Sequence, residues 1–214
     1  MSKAFELVVF DWDGTLMDSE AHIVSCMQRA AADLDMPALS RDKVRNIIGL
    51  GMREAVATLF PQHDDDAYQA IIDRYRVHFF TDDLSAPFDG VEDVLQSLRD
   101  QGYLLAVATG KSRRGLDRVL KHIGYEQYFI ETRCADETCS KPHPQMLQEI
   151  MEVLDIRPEQ TLMIGDTEYD MKMAHAAGAV PLGVDYGVHE RERLIDCKPV
   201  GCLSSIQELP DWLT

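Results

Sequence analysis

The sequence lacks any apolar run that approaches the length of a membrane span. It also lacks a secretory pattern at its start, where one lysine is followed only by a short apolar run before Asp11. Positive charge is scarce: 21 Lys and Arg stand against 37 Asp and Glu, for a net charge of −16. That balance repels a nucleic-acid backbone or an anionic membrane, so neither is expected as a partner. It leaves room for a small anionic substrate, because a few local cations or a metal override the global field. The five cysteines are an odd number and too few to staple a chain of 214 residues. They read as the free thiols of a cytoplasmic protein. Cys134/Cys139 and Cys197/Cys202 form two loosely spaced pairs that read as packing residues before zinc ligands. Nothing in the sequence bears on oligomeric state.

What the chain does have is enough apolar residue, 45%, to bury a substantial core. The rhythm of those residues changes along the chain. Phe5 to Phe10 reads as a strand. From 18 to 81 only helical stripes follow, such as Ile23, Val24, Met27, Ala30, Ala31 and Leu34 before Pro37. Ser40 reads as the cap of the next helix, Gly49–Gly51 as a break, and Met52–Phe60 as a helix closed by Pro61. A further helix starts at Asp64–Asp66. After Pro87, helices of about ten residues alternate with apolar runs at 104–109, 128–134, 161–165 and, last, 180–184. The pattern predicts an α/β fold, a doubly wound Rossmann-like parallel sheet. Residues 1–17 and 82–214 would form the core domain, with an all-helical insertion at 18–81.

In such a sheet, ligands bind beyond the carboxyl ends of the strands. Asp11 and Asp13 follow the first strand, Thr109-Gly110-Lys111 the run at 104–109, Lys141 a later loop, and Asp166 the run at 161–165, with Asp170 four residues on. Any one of these aspartates alone reads as a helix cap or a turn. Gathered in one crevice they would repel each other unless a cation joined them. Few hard oxygen ligands on an open site suit Mg²⁺. Thr109 and Lys141 suit an anionic group beside it, which points to phosphoryl transfer. Two imitations fail: TGKS at Thr109–Ser112 has Leu105 where a nucleotide-binding loop needs glycine, and GLGMRE has Glu54 at the third glycine position.

The set DWDGT at Asp11–Thr15, Thr109 after its strand, Lys141 in KPHP, and GDTEYD at Gly165–Asp170 resembles the four motifs of the haloacid dehalogenase superfamily, in order and spacing. The helical block resembles that superfamily's small helical cap. The resemblance implies an aspartyl-phosphate mechanism, with Asp11 the nucleophile and Asp13 the acid and base. It implies that Gly14 lets the backbone pass close to the phosphate, that Thr109 and the Gly110 N–H hold phosphoryl oxygens, and that Lys141 neutralises both nucleophile and phosphate. Asp11, Asp13 through its carbonyl, and Asp166 would hold Mg²⁺. Asp170 would act on the metal through water or orient Lys141. Arg53, after the break at Gly49–Gly51, would meet an anionic group of the substrate, and Lys111 would add positive charge.

Asp13 argues against the dehalogenase and phosphonate-cleaving branches, which lack a carboxylate there. Sugar phosphomutases of this type carry a histidine where Ile23 stands, with His22 one step away. The expected function is hydrolysis of a small phosphate monoester, phosphoglycolate phosphatase-like. A sugar phosphomutase and a non-catalytic phosphate-binding protein are the alternatives.

Overall fold

The computed structural model describes residues 4–81 and 85–213. Strand β1 (Leu7–Phe10) is buried along its whole length. Successive strand residues point to opposite faces, so Val8 and Phe10 enter one apolar cluster while Leu7 and Val9 enter another. The chain then leaves through β2 (Met17–Asp18) into four helices, α1 (Glu20–Asp33), α2 (Arg41–Arg45), α3 (Met52–Leu59) and α4 (Asp65–Thr81). It returns through β3 (Ala86–Pro87), which pairs antiparallel with β2. Exit and return therefore meet at one short ladder.

The rest alternates: α5 (Val91–Asp100), β4 (Leu104–Thr109), α6 (Arg113–Ile123), β5 (Glu131–Cys134), α7 (Gln145–Leu154), β6 (Thr161–Gly165), α8 (Glu168–Ala177), β7 (Val180–Val184), α9 (Arg191–Asp196), β8 (Cys202–Leu203) and α10 (Leu209–Trp212). Six strands form one parallel sheet in the order β5-β4-β1-β6-β7-β8. The fold is thus a doubly wound α/β sheet. Its strand order reverses at β1, which places the crevice at the end of that strand.

Three expectations need correction. The first strand starts at Leu7, because Phe5 stacks on Trp212 outside the sheet. The strand expected from residue 128 starts at Glu131, since Glu126–Tyr128 forms a 3-10 turn. The strand at 180–184 is not the last: β8 adds to its edge, with Cys202 opposite Gly183. The β2–β3 ladder was not anticipated either, and two residues carry no period to read.

The helical block has its own apolar cluster, in which the α1 stripe meets Ile71, Ile72 and Tyr75 of α4. Ser40 accepts from the Lys43 N–H and Asp64 from the Ala67 N–H, so both helix starts are capped. Helix α1 stops at Asp33, before Pro37, where Asp35 takes a left-handed conformation. Val188, which follows β7, also packs into this cluster. The boundary expected between 81 and 82 falls against residues 82–84, which lie outside the described residues. Among the described residues, no helix is long and apolar enough to cross a membrane.

Candidate active site

The parallel sheet lays four distant stretches side by side. Asp11 ends β1, and its N–H still bonds to the Ile164 carbonyl of β6, so its position is set by the sheet. Lys141 is buried, with its Nζ 2.6 Å from Asp11 Oδ1 and 2.7 Å from Asp170 Oδ1. The other Asp170 oxygen accepts from the N–H and hydroxyl of Thr167, at the start of α8. Asp170 thus links the start of α8 to the lysine. Asp166 accepts from the Thr15 hydroxyl at 2.8 Å and from the Val188 N–H at 2.8 Å.

Oxygens of Asp11, Asp166 and Asp170 lie within 4.8 Å of one another. Burial pushes Asp11 well above the usual carboxylate range; Lys141 pulls it back, and Asp170 and Asp166 push it up again. Asp166 is pushed up to about 7 by burial and by Asp170, against the pull of its hydrogen bonds. Burial opposes the charge on Lys141, yet Asp11 and Asp170 hold it above the ordinary lysine range. Asp11 Oδ2 is buried and has no hydrogen-bond partner. Three buried carboxylates facing one lysine, more negative charge than that lysine offsets, fit a hard divalent cation.

Asp13 has partners of its own. Its Oδ1 accepts from the Ser19 hydroxyl at 2.6 Å and meets Lys111 Nζ at 3.0 Å. Trp12, between the two aspartates, is fully buried in the sheet's apolar cluster against Phe129.

Gly14 takes φ +84°, and a Cβ there would lie 2.2 Å from Asp166 Oδ2. Its glycine is demanded by the Asp166 carboxylate, a neighbour the expected phosphate contact did not name. At Gly110 a Cβ would lie 2.5 Å from the Leu50 carbonyl and 2.7 Å from that of Gly49. The break in the helical block therefore rests directly on the loop after β4. Thr109 is buried, and its hydroxyl accepts from the Lys111 N–H. The Gly51 N–H donates to Ser140, next to Lys141, at 2.6 Å.

Lys111 is brought into the site, with its ammonium also 4.6 Å from the centre of the Phe79 ring. Arg53 is not. It pairs with Asp65 at 2.6 Å across the start of α4, and both side chains are exposed. His22 lies against Phe79, and Ile23 lines the cavity. Arg113 is tied to Glu137 and Thr132 away from the site. Sequence reasoning missed Ser19, Thr15, Thr167 and the Val188 N–H. Thr15 and Thr167 stand inside the quoted motifs; an N–H at 188 leaves no sequence signal, since almost any residue supplies one.

A cavity of about 90 Å³ lies between the helical block and the sheet, bounded by Asp13, Gly110 and Lys111 on the sheet side.

The chain matches the family model described as haloacid dehalogenase-like hydrolase over residues 8–184. It is 35% identical to a protein of Dickeya dadantii named probable phosphatase IndB, over 95% of this chain and 91% of that one. It is 30% identical to the phosphoglycolate phosphatase of Pasteurella multocida, over 91% and 92%. The crystal structure of a predicted phosphoglycolate phosphatase from Haemophilus somnus 129PT superposes with a TM-score of 0.88 over 100% of both chains, at 25% identity. The matched span runs from the first sheet strand to β7 and takes in every strand end that supplies the site, so the chain belongs to the haloacid dehalogenase-like hydrolases.

Proposed function

We propose that the protein is a Mg²⁺-dependent phosphatase that hydrolyses a small phosphate monoester through an aspartyl-phosphate on Asp11, in the manner of phosphoglycolate phosphatase-like enzymes. The observation that carries this reading is Asp11 itself. One oxygen is held by Lys141 and by the Trp12 N–H, both at 2.6 Å, and the other is buried without a partner. A carboxylate fixed by one oxygen and unspent on the other is a positioned nucleophile.

Asp11 Oδ2 would attack phosphorus as the ester P–O bond breaks, and Asp13 would give its proton to the leaving alkoxide. Asp13 would then take a proton from the water that attacks the same phosphorus, releasing phosphate and restoring Asp11. Thr109, the Gly110 N–H and Lys141 would hold phosphoryl oxygens. Asp11 and Asp166, with the Asp13 carbonyl, would hold Mg²⁺, and Asp170 fits better as the group that orients Lys141. When bound, Mg²⁺ would neutralise the clustered carboxylates and the phosphoryl charge. Residues 18–81 would be the cap that selects the substrate and excludes water.

The names of the curated relatives support the reaction class. Five free thiols support a cytoplasmic setting. A mutase reading is weaker, because Ile23 occupies the place of its histidine and His22 packs on Phe79. A simple phosphate binder has no use for both Asp11 and Asp13. The test is phosphate release from a panel of small phosphate esters with Mg²⁺ and with EDTA. Metal-dependent release is expected. No release from a folded, Mg²⁺-binding protein would contradict the reading.

A further inference from the structure

Asp166 is held by a stretch that lies outside the four motifs. The loop after β7 wraps it. The Val188 N–H donates to its Oδ2 at 2.8 Å, and the His189 N–H donates to its carbonyl at 3.3 Å. Gly187 lies so close that a Cβ there would stand 2.4 Å from Asp166 Oδ2 and from the Gly14 carbonyl. The N–H groups on either side of the Val188 Cα thus both go to Asp166. The rest of Val188 belongs to the helical block. Its side chain is buried in that block's apolar cluster, and its carbonyl accepts from Arg45 Nη2, at the end of α2, at 2.7 Å. A peptide group is planar. Arg45 therefore holds the carbonyl end of the same peptide whose N–H end holds Asp166.

Arg45 is itself well held. Its Nε lies 3.3 Å from Glu20 Oε1 of α1, and its Nη1 lies 3.7 Å from Glu190 Oε1. The next residue, Asn46, is clasped from the sheet domain. Its carbonyl accepts from the Tyr169 hydroxyl at 2.7 Å, and its Oδ1 accepts from Arg193 at 2.6 Å. The end of α2 thus docks on α8, on the loop after β7 and on α9 together. Groups that hydrogen-bond a metal-ligating carboxylate fix its orientation, and losing one costs about 10–100-fold in metal affinity. Resting on the reading of Asp166 as a Mg²⁺ ligand, we infer that Arg45 is a positioning residue for the metal site: through Val188, docking of the helical block and Mg²⁺ binding strengthen each other. The charge on Arg45 acts in the opposite direction, since a cation repels a cation. Weaker Mg²⁺ binding without Arg45 would therefore come from the lost contact and not from the lost charge.

The experiment is a Mg²⁺ titration of the substrate-free protein by calorimetry, joined to amide exchange of residues 41–50. Arg45→Ala should raise the Kd for Mg²⁺ by about fivefold or more, with the circular dichroism spectrum unchanged. Arg45→Lys, which keeps a donor and the charge, should recover part of that loss. Glu190→Ala removes an exposed partner of Arg45 and should leave the Kd within about twofold of wild type. By linkage, Mg²⁺ should slow exchange at residues 41–50 in the wild type, and less in Arg45→Ala. A Kd in Arg45→Ala equal to or below the wild-type value overturns the inference. Binding to the wild type that is lost in Asp166→Ala would then leave the metal site of the phosphatase reading standing. If Arg45→Ala does not fold, exchange in the wild type decides, and no slowing by Mg²⁺ at residues 41–50 overturns the inference. A wild-type protein that binds no Mg²⁺, or binds it equally well in Asp166→Ala, would remove both.

Discussion

The end of the sheet and the helical block that faces it are built from opposite materials. The sheet end buries Asp11, Asp166, Asp170 and Lys141 together, with Lys141 paired to Asp11 and Asp170, and burial raises Asp11 and Asp166 above the usual carboxylate range. The helical side presents Ile23, Met27 and Ala55, which contribute shape, and Phe79, whose ring also meets Lys111. Chemistry on phosphate demands particular groups at fixed strand ends. Packing of helix against helix demands only volume and hydrocarbon. The first kind of site therefore tolerates few residue types, and the second can be retuned without disturbing it.

The sharpest way to break this contrast is at the nucleophile. Asp11→Asn keeps the shape and removes the attacking oxygen. Phosphate release should fall at least about a thousandfold, with the circular dichroism spectrum unchanged. Lys141→Met should come next. It leaves the buried carboxylates without their cation, a loss of about 3–5 kcal/mol for a broken buried pair, measured by urea unfolding in EDTA.

Gly110→Ala acts where the two sides meet. Its new methyl would press on the Leu50 and Gly49 carbonyls, so the helical block should sit open and KM should rise. An overpacked contact costs about 1–3 kcal/mol, which corresponds to roughly tenfold in KM, read from steady-state kinetics. On the sheet side, Asp166 is pushed up to about 7 from a usual 3.8. A carboxyl with a raised value in the folded state favours folding while protonated. That contribution is full below its unfolded value and is lost as pH rises through about 7. The metal-free protein should therefore melt at lower temperature at about pH 8 than at about pH 5, and Mg²⁺ should restore most at the higher pH. The smallest effect belongs to Arg53→Ala. An exposed ion pair contributes about 0–1 kcal/mol, so melting temperature and KM should both stay near the wild-type values.

The same contrast decides what could be read from the sequence. Strands at Leu104–Thr109, Thr161–Gly165 and Val180–Val184 stand where their continuous apolar runs placed them. The residues that end them were legible because polar types at buried strand ends need a reason. Cys202–Leu203 was not legible as a strand, since two residues at a sheet edge carry no pattern. The pairing of Arg53 with Asp65 was not legible, because Asp65 comes from a separate helix that only folding brings near. Lys111 could have been read as a solvated residue; its burial between Asp13 and Phe79 depends on how the helical block docks. The cavity residues were visible only as core, because apolar residues that line a cavity and those that hold a helix look alike in sequence.

The most direct test of the account is a rapid acid quench of the wild-type protein during turnover with Mg²⁺ and a hydrolysed ester, followed by mass spectrometry of the peptide that carries Asp11. The account predicts a phosphoryl group on Asp11 that is absent from Asp11→Asn. Turnover with a phosphoryl group on another residue, or with none when turnover is halted by the quench at its earliest time, would contradict it.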